Sequence, residues 1–157
     1  MKNLILSLSI AVFICYSNLS LAALPVCIIK HYEGRKIIQK AVMIDAPDIA
    51  ENGAVVSIGI KGLKNVASER TVKQISFYNE FRKEPVARFL LGKNTQIAGL
   101  KTRMRLRESS NIYAVAELDN GQLVSGESFI KVTIEGCGGG GMPRSSGKAE
   151  RVCKKKS

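Results

Sequence analysis

The chain has 157 residues and carries 24 Lys and Arg against 13 Asp and Glu, a formal net charge of +11, with one histidine and no tryptophan. That length suits one domain with a real core. A lone histidine and scattered carboxylates leave no ligand cluster, acid–base pair or nucleophile triad legible, so no metal site or catalytic residue is expected and the sequence offers no self-sufficient catalyst.

In chain order, Met1-Lys2-Asn3 is a short, weakly basic start, and Leu4 to Tyr16 is an apolar run of signal-peptide length. Ser20-Leu21-Ala22 supplies a small-x-small cleavage pattern. Residues 1–22 therefore read as a secretory signal cut after Ala22. As a membrane anchor the run is short, and neither Cys15 nor Cys27 sits in a lipoprotein box. Cleavage leaves 135 residues, removes only Lys2 and gives a net charge of +10. A basic exported domain points to acidic partners, anionic substrates or a membrane surface. Nucleic acid is disfavoured by the export signal and by the absence of any nucleic-acid motif.

Residues 23–35 form an N-terminal segment holding Cys27 and His31. Two such residues do not make a metal site, and a lone histidine is ordinarily a surface or packing residue. Residues 36–135 alternate in hydrophobicity. Ile37 to Ile44 gives a first strand, and Ala54, Val56, Ile58 and Ile60 alternate after Asn52-Gly53. Ala46 to Ala50 offers at most a first helical turn. Ile75 and Phe77 mark another strand, and Val86 to Leu91 a further one. In Lys101 to Arg107, Thr102, Met104 and Leu106 face one way and Lys101, Arg103, Arg105 and Arg107 the other, a half-buried strand with a basic outer stripe. Ile112, Ala114, Ala116 and Leu118 share a face before Asn120-Gly121, a two-residue hairpin signal. Ile130, Val132 and Ile134 share a face in the last strand. About seven short strands without an internal repeat predict an all-β, immunoglobulin-like β-sandwich, with a small open barrel as the competing fold. Val56, Ile58, Phe77, Phe89, Leu91, Met104, Leu106, Ile112, Ala114, Val132 and Ile134 are the expected core, and Phe81, Arg82 and Lys83 are expected in a loop.

After Ile134 the pattern stops. Residues 136–157 read as a flexible glycine-rich arm and basic tail, in which Gly138 to Ser157 carries six basic residues against Glu150. The stretch Gly141 to Ala149 lacks the spacing and the hydroxyl residue of a phosphate loop. Three cysteines remain after the signal: Cys27, Cys137 and Cys153. Export favours disulfides, and an odd number leaves at least one thiol over. Cys27 either pairs with Cys153, tying the two ends together, or stays free, and a Cys137–Cys153 bridge is a further alternative. Cys137 lies between Gly136 and Gly138-Gly139, which give it a thin profile and free torsions. Neighbouring basic residues favour its thiolate, the form that attacks sulfur electrophiles. It is either an incidental linker cysteine or the attachment point of a covalent carrier.

Ala46-Pro47-Asp48-Ile49-Ala50-Glu51-Asn52-Gly53-Ala54-Val55-Val56 resembles the AP-x-IAENG-x-x-V stretch of the SoxY family. The run from Thr102 to Leu106, then Ala114 to Ala116, Asn120-Gly121 and Ile130 to Ile134, is similar to that family's final strands. Glu135-Gly136-Cys137-Gly138-Gly139 matches its Gly-Gly-Cys-Gly-Gly signature. The resemblance covers about residues 36 to 139 and implies an immunoglobulin-like domain in the periplasm, paired with a SoxZ-like subunit and lacking enzymatic activity of its own. It implies that Cys137 holds thiosulfate-derived sulfur covalently, that Gly136, Gly138 and Gly139 give reach, and that no cofactor is needed beyond the sulfur species itself. A thiosulfate-conjugating cytochrome and a sulfate-releasing hydrolase are the implied partners.

This chain departs from the pattern at Glu135, in the eighteen residues after Gly139, in the extra Cys153, and in lacking a twin-arginine signal. Two other readings compete with the carrier. One is a non-catalytic basic β-sandwich that binds an acidic periplasmic partner or surface. The other is a thiol–disulfide module using Cys137 and Cys153, which lacks the close C-x-x-C spacing of redox thiols.

Overall fold

The computed structural model describes residues 24–64, 66, 70–93, 95, 97–134 and 151–153. The proposed signal peptide, Gly136, Cys137, Gly138, Gly139 and the side chain of Ile134 lie outside the described residues. The described chain is an all-β, immunoglobulin-like sandwich of two sheets. Its strands are β1 (Ile37–Ile38), β2 (Val42–Asp45), β3 (Ile49–Asn52), β4 (Val56–Leu63), β5 (Val72–Asn79), β6 (Ala87–Leu90), β7 (Lys101–Met104), β8 (Ser110–Leu118) and β9 (Leu123–Ile134). One sheet runs β1-β9-β8-β5-β6, with β3 also paired to β9, and the other runs β2-β4-β7.

Period-2 patterning sets the packing. Ile75, Phe77, Ile112, Ala114, Ala116, Leu118, Val124 and Ile130 of the first sheet meet Val42, Val56, Ile58, Ile60 and Met104 of the second, with Leu106 joining them. All are buried, as strands with one inward face require. Phe89, Leu91 and Val132 are only partly buried against this core. Phe77 and Phe89 meet edge to face with ring centroids 6.2 Å apart. Phe81, Arg82 and Lys83 lie between β5 and β6, outside any strand.

The expected first strand, Ile37 to Ile44, divides into β1 on the first sheet and β2 on the second, and the expected strand Lys101 to Arg107 ends at Met104. Three further features differ from the sequence expectation. Ala46 to Ala50 makes no helical turn: the chain extends into β3, which lies parallel to β9 with Ile49 opposite Lys131 and Asn52 opposite Ile134. Pairing partners eighty residues away override a weak local signal. The helix stands earlier, as α1 (Val26–His31), started by Pro25 and stopped by Glu33 and Gly34 in the left-handed region. Six residues are too few for periodicity to announce it. Finally, the β8–β9 turn is not the two-residue form. Gly121 takes φ +79° while Asn120 stays at negative φ, and the N–H of Gln122 donates to the Asn120 side chain at 3.0 Å. The loop closes as a turn with one left-handed glycine, which leaves only that position needing positive φ.

The outer face of the first sheet is also covered. Tyr78, Tyr113, Val115 and Leu123 point away from the sandwich core and pack under Leu24, Ile28 and Tyr32 of the α1 region and under Cys153. The hydroxyl of Tyr78 donates to that of Tyr32 at 3.3 Å. Burial raises the phenol pKa values of both Tyr78 and Tyr113.

Candidate functional site

The last strand, β9, leads to the candidate arm. It is held on both sides: β8 pairs with it from Ser110 opposite Ile130 to Glu117 opposite Leu123, and β3 pairs with its final turn of pleat up to Ile134. Gly126 sits where β2 crosses it, since a Cβ there would lie 1.9 Å from the carbonyl oxygen of Val42. Near its end, the N–H of Val132 donates to Ser109 Oγ at 2.9 Å, so the strand is hydrogen-bonded close to its last described residue. Cys137 is three residues further, at most about 11 Å of extended chain.

The chain returns to the sandwich at Arg151–Cys153. Cys27 of α1 and Cys153 form a disulfide spanning 126 positions of sequence, with Cα atoms 5.5 Å apart. Cys153 is buried, and its N–H donates to the Glu80 carbonyl at 3.0 Å. The Glu80 carboxylate is itself nearly buried. Its Oε1 accepts from Asn111 Nδ2 at 2.8 Å, and its Oε2, buried without a hydrogen bond, lies 3.4 Å from Arg151 Nε, so its charge is paired. Arg151 also reaches the Ser109 carbonyl at 3.5 Å. Ser109 thus touches both Val132, at the exit of the arm, and Arg151, at its return. The chain is therefore held to the sandwich both at Val132 and at Arg151–Cys153.

These contacts decide the cysteine alternatives. Cys153 is bonded to Cys27 and is unavailable to Cys137, which removes the thiol–disulfide module built on Cys137 and Cys153. Of the cysteines after residue 22, only Cys137 is left outside the bridge. Cys27 is equally unavailable as a metal ligand beside His31. His31 packs edge to face on Tyr32 and Tyr78, lies 3.5 Å from a Glu84 carboxylate oxygen, and has Arg88 Nη2 3.1 Å from its Nε2. It is a packing residue at the rim of α1.

Sequence reasoning missed Glu80 and Asn111, the polar anchors of the returning chain. Nothing in the alternation distinguishes a buried carboxylate at a strand end from an exposed one. The signal that could have raised the question is the parity of the cysteines.

The family model for the sulfur oxidation protein SoxY matches residues 29–137, ending at the arm cysteine. The chain belongs to the SoxY family. Among solved structures it is similar to the sulfur carrier protein SoxY from Chlorobium limicola f thiosulfatophilum, at 27% identity and TM-score 0.53, covering 67% of this chain and 87% of that one. It also resembles a superoxide reductase (neelaredoxin) E23A from Ignicoccus hospitalis, at 17% identity and TM-score 0.46, covering 59% and 79%. A putative superoxide reductase from Thermotoga maritima aligns at 14% identity and TM-score 0.47, covering 64% and 89%. None of the curated proteins matches the chain significantly. Among the described residues, no helix is long and apolar enough to cross a membrane.

Proposed function

We propose that this SoxY-family chain is a periplasmic carrier that holds thiosulfate-derived sulfur on Cys137, pairs with a SoxZ-like subunit and presents the sulfur to Sox enzymes. The observation that carries the reading is the Cys27–Cys153 bridge, which leaves Cys137 as the one unbridged cysteine of the exported chain, three residues beyond a strand held on both sides. A carrier needs a thiol that no internal partner quenches, on a base that does not move.

Loading joins the Cys137 thiolate to the outer sulfur of thiosulfate, giving Cys–S–S–SO3⁻ and releasing two electrons, which a c-type cytochrome partner accepts. A hydrolase then adds water to the terminal sulfur. Sulfate leaves with two protons, and Cys–S–S⁻ stays on the carrier. The chain supplies the thiolate and its presentation, and the partners supply the oxidant and the water. Basic residues around the arm favour the thiolate over the thiol.

In this reading a partner meets Cys137 on the stretch of chain between Ile134 and Arg151 instead of threading a free terminus. The test is loading of wild-type and Cys137→Ser protein by thiosulfate with a Sox cytochrome. Wild type is expected to gain the mass of one adduct per chain and the variant none, with unchanged circular dichroism. Equal loading of the variant contradicts the proposal.

A further inference from the structure

The described residues also form a hollow that the carrier reading does not use. It opens where the two sheets end side by side, between β6 at the edge of the first sheet and β7 at the edge of the second. Its volume is about 620 Å³, within the range of roughly 300–1,000 Å³ common for small-ligand sites. Met104 and Leu106 are buried, while Arg103 in β7, Arg105 just past its end and Arg107 in the bend that follows are exposed and line the hollow. Arg82 approaches from the β5–β6 connection, and Phe81 and Met104 supply apolar wall.

Among the described residues, no Asp or Glu lines this hollow. Arg82, Arg103 and Arg107 make no ion pair with any described residue, while basic residues elsewhere find acids: Lys61 and Lys101 share Asp45, Arg35 meets Glu117, and Arg70 meets Asp119. A charged edge strand guards against sheet-to-sheet pairing, but that purpose requires neither a concavity nor a further arginine from the opposite sheet. Uncompensated guanidinium groups converging on a hollow raise the local potential and attract anions. Their planar forks match pairs of oxygens on a tetrahedral oxyanion better than ammonium groups do.

The rim of the hollow is also linked to the end of β9. The N–H of Leu106, between Arg105 and Arg107, donates to the Gly53 carbonyl at 2.8 Å. Gly53 follows Asn52, the residue paired with Ile134 at the end of β9. Cys137 follows three residues later in the sequence, a span of at most about 11 Å of extended chain.

We propose that this hollow binds the sulfonate-type head of a sulfur oxyanion, presented as the free anion or as the end of the adduct on Cys137. The tethered form rests on the carrier reading; the free form does not. The test is calorimetric titration of the purified full chain with sodium sulfate and sodium thiosulfate at constant ionic strength. Comparison proteins are R103Q/R107Q, a charge-matched K36Q/K73Q control at exposed positions, and Cys137→Ser.

Saturable binding is expected in wild type, the control and Cys137→Ser, and at least tenfold weaker binding in R103Q/R107Q. Failure of sulfate to saturate, or unchanged affinity in R103Q/R107Q, overturns the proposal and leaves the arginines to edge protection or an acidic partner. The source is separated by treating wild type with tetrathionate, which transfers S–SO3⁻ to Cys137 and releases thiosulfate. The adduct is expected to weaken sulfate binding at least fivefold by occupying the hollow. Unchanged sulfate affinity after loading overturns the tethered form. A Cys137 that takes no adduct while sulfate still binds counts against the carrier reading and not against the hollow.

Discussion

The two buried layers of this molecule are built on opposite principles. Between the sheets, Ile58, Ile75, Phe77, Ile112 and Leu118 form an almost wholly apolar core whose stability comes from area removed from water. On the outer face of the first sheet, Tyr32, Tyr78 and Tyr113 carry polar tips, one short helix gives cover, and a disulfide closes the layer. The first layer contains no cross-link. The second is closed by the Cys27–Cys153 bridge, a bond that persists in an oxidising compartment. The C-terminal part of the chain contributes to both: Val124 and Ile130 of β9 to the first and Cys153 to the second.

Truncation of the inner layer should have the largest effect. Phe77→Ala removes a fully buried ring and should cost about 3–5 kcal/mol, read as a lower urea midpoint at unchanged slope. Removing the bridge with Cys27→Ser/Cys153→Ser releases a constraint across 126 positions and should cost about 2–4 kcal/mol. Hydrogen exchange should then rise in α1 and at Arg151–Cys153 while β4 and β8 stay protected. Uniform loss of protection would mean that the layers are one cooperative unit. Gly126→Ala places a methyl group against the Val42 backbone and should cost about 1–3 kcal/mol, measured by thermal melting.

The smallest effect is acidic. Hydrogen bonding from Lys101, reinforced by Lys61, holds the Asp45 carboxyl below its ordinary value. That contribution is present above the unfolded carboxyl's pKa and is lost as pH falls through the folded one. Asp45→Asn should therefore narrow slightly the stability gap between pH 6 and pH 3. It should leave the outer layer untouched, because Asp45, Lys61 and Lys101 link the strands of the other sheet.

The same contrast explains what the sequence made legible. The inner faces were readable because alternation reports a buried face directly: Met104 and Leu106, or Ile112 and Ala114, fall where period 2 puts them. The outer layer was not, because alternation assigns the opposite face to solvent, and Tyr113 and Val115 give no sign that a six-residue helix covers them. Parity of the cysteines showed that a thiol must be left over, but the choice of pair required Glu80, Asn111 and Arg151 to bring Cys153 beside Cys27. The arginine stripe of residues 103–107 was visible as a charged face. Its meeting with Arg82 depends on how two sheet edges align, which no local pattern encodes.

The most direct test of the account is the cysteine connectivity of the exported protein, purified without reductant and analysed by intact mass and peptide mapping before and after reduction. The account predicts a Cys27–Cys153 bridge in nearly all molecules and a reducible sulfur adduct confined to Cys137. A disulfide from Cys137 to either other cysteine, with no adduct, would contradict it.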